Sequence, residues 1–357
     1  MSDDLDLGVL AGSFAEMLDA EWPREKAVAY ARADHLYAED LWQQMAALGW
    51  TALTVPEEYG GLGMGSAAVA ALHGALGAAA APVPMLGTTL AVELLLRAGN
   101  AAQQAAWLPG LADGSLRAAV AQPGDTVVAA DGDAVSGSVA NLLDAASANI
   151  LFLRAVRGGK PAWIVLLSDA PGLSVERHAL TDTTRTLGTV TLDGVALDGD
   201  ALIVPADAAA LDDALLRIAA LAIAADAIGG GERVLAGTIE YMTVRQQFDR
   251  VIGSFQALKH RVADHQTALV AARGLVEYAA GLAADHPQAL LMAISAKQHA
   301  ARAVAEIARD CIQLHGGVGF TAEFFPHIYL KRAKVNEAIH GTRPVLLDRI
   351  ADMLEAA

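Results

Sequence analysis

The chain has 357 residues, 54% hydrophobic and 18% charged, and its 25 basic and 41 acidic side chains give a net charge of −16. That length and apolar content support a large buried core and exclude a disordered chain, while the acidic balance argues against nucleic acid and anionic membrane surfaces as partners. A single cysteine, Cys311, excludes an internal disulfide and a cysteine-based metal cluster and suits a reducing cytoplasm.

The opening MSDDLDLGVL is acidic and has no charged segment leading into an apolar run, so no secretory leader is expected. Residues 6 to about 112 read as helical. Ser13 opens one run at helical spacing, and Asp40-Leu41-Trp42 leads into a second that Gly49 ends. Trp42 and Trp50 are expected to pack inside this helical region. TALTVPEEYGGLGMG reads as an extended segment and a Gly-rich turn. Residues 60–92 carry no Asp, Glu, Lys or Arg, but they are mostly Ala and Gly, contain His73, and are broken by Pro82 and Pro84. Their hydrophobicity is low for membrane insertion, and they read as helices inside a bundle.

From about Arg117 to Val204 short β-rich runs such as NILFLRAV and AWIVLL alternate with Gly, Asp and Pro, the pattern of a small antiparallel barrel or sandwich. Helical spacing returns in segments near 209–249, 254–283, 287–315 and 333–356, which suits a four-helix bundle. The expected organisation is therefore α+β: an N-terminal α-helical domain over 1–113, a middle β-barrel domain over 114–205, and a C-terminal four-helix bundle over 206–357.

Two motifs carry chemistry. In RQQFDRVIGSFQ, Arg245 to Gln256, a guanidinium fork suited to a pyrophosphate stands near Gln247, Phe248, Phe255 and Gln256. In QLHGGVGF, Gln313 is followed by His315 and by three glycines in four positions, among them Gly316 and Gly317. These permit positive φ and bring backbone amides close to a flat ligand, although an ordinary glycine helix cap explains one of them. The ten histidines show no metal-binding spacing, and no metal is expected.

These segments resemble the acyl-CoA dehydrogenase family, whose patterns read R-x-x-F-G-x-x-I-x-x-F-Q and Q-x-x-G-G-x-G. The order helix, LGW, VPEEYGG, Ala-rich helix, AP-x-P resembles that family's N-terminal domain. The resemblance implies FAD as cofactor, with Arg245, Gln247, Phe248, Phe255, Gln256, Gln313, Gly316, Gly317 and Thr342 at its binding positions, part of them reaching into a neighbouring subunit's flavin site. It implies α,β-dehydrogenation of an acyl-CoA thioester, with an electron-transfer flavoprotein as acceptor.

The chain also departs from the family. Asp249 stands where a Gly is usual, and His340-Gly341-Thr342 stands where a catalytic Glu-Gly-Thr is usual. The alternative base position early in the bundle falls on Ala219 and Ala220, with Arg217 and Asp226 out of register. Ala121-Gln122-Pro123-Gly124-Asp125 replaces a T-E-P strand and its turn, and AVSGSVAN stands for the W-I-[ST]-N-G strand. His340 is either a base or a space-filling remnant, and the expectation is that no residue of this chain is the catalytic base. Arg332 and Lys334 are expected in surface or interhelical pairs.

The resemblance therefore points to the non-catalytic subunit of a heteromeric, cytoplasmic acyl-CoA dehydrogenase of the actinobacterial steroid side-chain type. A homologous partner subunit would supply the Glu base, and the assembly would be a heterotetramer. A flavin-dependent monooxygenase on the same fold and a flavin-free scaffolding or regulatory homologue are the alternatives.

Overall fold

The computed structural model describes residues 7–122, 125, 127–197 and 199–355. Its first helices are α1 (Leu7–Glu21), α2 (Arg24–Ala31), α3 (Glu39–Ala47), α4 (Ser66–Ala78), α5 (Met85–Ala98) and α6 (Ala101–Ala112). Ser13 lies inside α1 rather than at its start. After α3 the chain turns at Gly49, which takes φ +76° and so fits the left-handed position beyond a helix end. VPEEYGG contains a short 3₁₀ turn at Glu57–Tyr59 rather than a purely extended segment. α6 opens with a capping box in which the Asn100 side chain accepts from the Gln103 backbone N–H and the Gln103 side chain accepts from that of Asn100, both at 2.9 Å. Residues 60–92 run through α4 and into α5, and no described helix is long and apolar enough to cross a membrane.

The middle strands are β1 (Ala118–Val120), β2 (Val128–Ala129), β3 (Ala134–Leu143), β4 (Ile150–Arg157), β5 (Lys160–Leu167), β6 (Leu173–Arg177), β7 (Leu187–Ala196) and β8 (Leu202–Ile203). One sheet runs β1-β4-β5-β8 with β2 also on β4, and a second runs β3-β7-β6. Pairing is mainly antiparallel, as expected. The exceptions are β1 and β2, which both run parallel to β4. Ile150 to Leu153 of β4 are all buried, so this strand is covered on both faces, and its composition lacks the alternation of a half-exposed strand.

Of the altered segment after β1, Pro123 and Gly124 lie outside the described residues. The Asp125 carboxylate accepts from the Gln122 backbone N–H at 2.8 Å, and burial pushes its carboxyl up.

The remaining elements are α7 (Ala208–Val244), the hairpin strands β9 (Gln246–Gln247) and β10 (Arg250–Val251), α8 (Gln256–Gly281), α9 (Ala289–His315), α10 (Pro326–Ala338) and α11 (Arg343–Glu355). Asp207 caps α7 by accepting from the Ala210 N–H at 3.0 Å. The helix expected over 333–356 is instead two helices. α10 starts earlier, with Pro326 in its first turn, and the chain breaks at 339–342 before α11.

The chain divides into two compact units. One gathers the residues up to Asp34, Ser66–Ala81 and everything from Ala220 onward; the other comprises His35–Gly65 and Pro82–Ala219. In the first unit α4 and α7 cross at glycines. A Cβ on Gly77 would overlap the Asp226 carbonyl, and one on Gly229 would overlap that of Gly74, so only glycine permits this approach. In the second unit Trp42 and Trp50 are buried as expected, and the Trp42 indole N–H donates to the Gly114 carbonyl at 2.8 Å.

Candidate functional site

An open groove of about 720 Å³ lies in the first unit, where the end of α7, the hairpin, the start of α8 and the end of α9 meet. Its walls include Arg245, Gln247, Phe248, Phe255, Gln313, Gly316 and Gly317, seven of the nine residues expected at a cofactor site. Gln256 opens α8 beside it, exposed but not on the wall, and Thr342 lies elsewhere.

The hairpin explains how the Arg245 motif is held. α7 ends at Val244, five residues short of expectation, because Phe248 and Asp249 take φ +55° and +60°. Gln247 pairs with Arg250, so Phe248 and Asp249 form a two-residue connection of the type in which both central residues are left-handed. Asp tolerates that conformation better than most residues, which accounts for Asp249 at a position where glycine is usual. The Arg250 guanidinium lies 3.8 Å over the Phe255 ring, and the Phe248 ring meets Phe255 edge-on at 6.2 Å. Beneath them Met242, Ile252 and Leu314 form a small core cluster.

The opposite wall is the end of α9. Gly316 takes φ +65° with ψ −142°, a region open essentially to glycine. A Cβ at Gly316 or Gly317 would meet nothing within 4 Å, so the backbone there faces open space.

The groove also contains residues to which the sequence reading assigned no role: Tyr241, Leu258, Arg261, His315 and Val318. Arg261 is bound to Asp310, which also pairs with His265 at 2.7 Å. His315 is buried; its Nδ1–H donates to the Cys311 carbonyl at 2.7 Å, and its ring stacks on Tyr241 at 4.4 Å. Burial lowers its pKa, which favours the neutral ring. The i, i+3, i+6 spacing of Phe255, Leu258 and Arg261 is the signal that would have found two of these residues. Among the described residues the groove has no carboxylate on its walls; of its two guanidiniums Arg261 is held by Asp310, while Arg245 has no carboxylate partner. It therefore offers charge, aromatic faces and bare backbone to an anionic, flat ligand.

Thr342 lines a separate groove of about 390 Å³ with Gln298, Arg302, Lys334, Glu337 and Arg343. Next to it, His340 is 4% exposed and left-handed at φ +50°. At the other base position Ala219 and Ala220 are fully buried. Arg217 is buried 3.7 Å from Glu93, which Arg97 also holds, at 2.5 Å, and burial lowers its pKa. Asp226 is 2% exposed and bound by Arg332 and Asn336. Its carboxylate is thus committed to the fold, and so is the buried Arg332, while Lys334 makes the expected surface pair with Glu337 at 2.7 Å. Among the described residues no group of three His, Cys, Asp or Glu side chains is placed to hold a metal.

Residues 9–115 match the model of the acyl-CoA dehydrogenase N-terminal domain, and residues 211–355 match that of the acyl-CoA dehydrogenase C-terminal domain. The acyl-CoA dehydrogenase IpdE2 of Mycobacterium tuberculosis is 35% identical over 88% of this chain and 84% of its own length. The chain belongs to the acyl-CoA dehydrogenase family. Two solved structures extend the likeness. The ChsE4-ChsE5 complex from Mycobacterium tuberculosis has 27% identity and a TM-score of 0.90 over 100% of this chain and 99% of its own. The Tcur3481-Tcur3483 steroid acyl-CoA dehydrogenase, as its G363A variant, has 29% identity and a TM-score of 0.87 over 98% of both chains.

Proposed function

We propose that this chain is the non-catalytic subunit of a heteromeric FAD-dependent acyl-CoA dehydrogenase, completing the flavin site of a homologous partner that supplies the glutamate base. One contrast carries the reading: seven of nine expected cofactor residues line a single groove, while the turn that should bear a carboxylate bears the buried, left-handed His340. The likeness to a steroid acyl-CoA dehydrogenase and to the ChsE4-ChsE5 complex supports a paired assembly acting on a CoA thioester with a steroid side chain. An electron-transfer flavoprotein is the acceptor in this reading.

The groove residues fit FAD. Arg245 would neutralise the diphosphate with a planar fork, Gln247 and Gln313 would offer donors and acceptors, and Phe248 and Phe255 would cover flat surface. The bare backbone at Gly316 and Gly317 leaves room for close approach. Held there, FAD would supply the acceptor for the hydride that leaves the β-carbon of the thioester. The α-proton needs a base within hydrogen-bond reach, and in this reading that base belongs to the partner.

Co-expression with the homologous subunit, followed by flavin quantification, tests the proposal. FAD is expected on the complex and little of it on the chain alone. Full FAD occupancy in this chain purified without any partner overturns it.

A further inference from the structure

Lys297 lies in the first half of α9 with 0% of its surface exposed, and its Nζ donates to the Gly341 carbonyl at 2.7 Å. A lysine is almost never fully buried, because its ammonium loses its water there. The same place in the fold carries a second cost. His340 and Gly341 follow one another at φ +50° and φ +100°, and left-handed backbone is disfavoured for a residue with a side chain. A Cβ on Gly341 would press into Leu346, so the turn is also packed tightly against α11. Buried charge and backbone strain therefore meet at one carbonyl, in the turn between α10 and α11 that ends in Thr342.

We propose that Lys297 is a positioning residue that locks the His340-Gly341-Thr342 turn in its left-handed form by holding the Gly341 carbonyl from inside the bundle. The consequence for cofactor retention rests on the function proposed above together with the flavin role that the family motif implies for Thr342, which lies on the neighbouring groove. Burial brings the Lys297 pKa down to about 8, with Glu337 opposing the shift, so the ammonium is charged at neutral pH and discharges just above it. The charged and titratable groups of the neighbourhood are Glu337 and Lys334 of α10, bridged at 2.7 Å, Arg302 of α9, bridged to Glu306 at 3.0 Å, His340 of the turn, and Arg343 at the start of α11. His265 of α8 faces the adjoining groove that Gln298 shares.

Hydrogen exchange of the segment 339–343 in the full-length chain tests the lock. In Lys297→Met, which replaces the ammonium by an apolar side chain of similar length, the melting temperature is expected to be unchanged or higher. Exchange in the segment should nevertheless rise by roughly tenfold as a charge-assisted bond is lost. In the wild-type chain, exchange corrected for intrinsic pH dependence should show a step near pH 8 that the Met variant lacks; mere packing by the lysine stem would give none. Unchanged protection in the variant, or a wild-type profile without the step, overturns the proposal. Should Lys297→Met not fold, the wild-type profile alone decides. If the turn loosens in the assembled complex while FAD retention stays constant, the lock stands and it is the Thr342 flavin contact that fails.

Discussion

Arg332 grips Asp226 with two nitrogens, Nη2 at 2.5 Å and Nε at 3.0 Å, and Asn336 adds a third donor at 2.7 Å. Both members of the pair are nearly closed to solvent, at 5% and 2%. The carboxylate that stood nearest the alternative base position is therefore a bolt between α7 and α10. Removing one partner of such a pair leaves an uncompensated buried charge. Arg332→Ala should destabilise the chain by about 3–5 kcal/mol in denaturant unfolding. A change below about 1 kcal/mol would show that the pair is not what fixes α10.

Arg245 is exposed and has no carboxylate partner among the described residues, so its loss should spare the fold. In the assembled complex Arg245→Ala should weaken FAD retention by about 1.5–3 kcal/mol, the worth of one charge-assisted contact. Equilibrium flavin release monitored by fluorescence measures this. A shifted melting temperature in the flavin-free chain would mean that the residue acts through structure instead.

At the hairpin tip the backbone makes the prediction. Asp249→Val puts a β-branched side chain at φ +60° and should cost about 1–2 kcal/mol. Asp249→Gly relieves strain and should leave stability equal or higher. Thermal unfolding of the two variants side by side distinguishes this from a side-chain effect, which would move both in the same direction.

On the proposed reading, in which the buried, left-handed His340 is not the base, His340→Ala in the complex should leave turnover within a few-fold. Removing the partner's glutamate should cost roughly 10²- to 10⁴-fold, the usual contribution of a general base. Rates at saturating substrate, with flavin content checked, make the comparison. If His340→Ala abolishes turnover with flavin and assembly intact, this chain carries its own base.

Cys311 is buried, and loss of solvent pushes its thiol up to about 11 against 9.0 for the free group. A raised folded-state pKa means that the native protein holds the proton longer than the unfolded chain. Its contribution to stability is intact below pH 9 and is lost as pH climbs from 9 towards 11. Cys311→Ala should flatten that part of the stability profile relative to wild type, and alkylation of the native thiol at pH 8 should be slow. Rapid native-state labelling would show the site to be open.

The parts of the site that were legible in the sequence are those held by short stretches of chain. Arg245 to Gln256 is one hairpin with the helix start that follows it, and Gln313 to Gly317 is one helix end, so spacing alone brings each set together. Thr342 lies on another groove, a placement that the spacing within its own stretch of chain does not encode. Asp226 was illegible because its partners lie 106 and 110 residues away. The break after α10 was hidden because His340 adopts a left-handed conformation that most residues with a side chain avoid and that apolar spacing does not signal. Lys297 was missed for a related reason, since a lysine in a long helix reads as surface. The parallel pairing of β1 and β2 with β4 depends on which strands become neighbours, and alternation within a strand carries no such information.

The first compact unit is stitched from three separated pieces of chain, and this has a cost in time. On the ribosome α1 and α4 emerge early, but the rest of their unit from Ala220 onward, including α8, which packs on α4, follows only after the whole stretch 82–219 has been made. At roughly 5–20 residues per second that delay lasts roughly 7–28 s. During it the apolar sides of Phe14, Leu18, Leu72 and Leu76, all buried in the finished protein, are without their final cover. Slowing translation within 82–219 should therefore lower the yield of soluble chain.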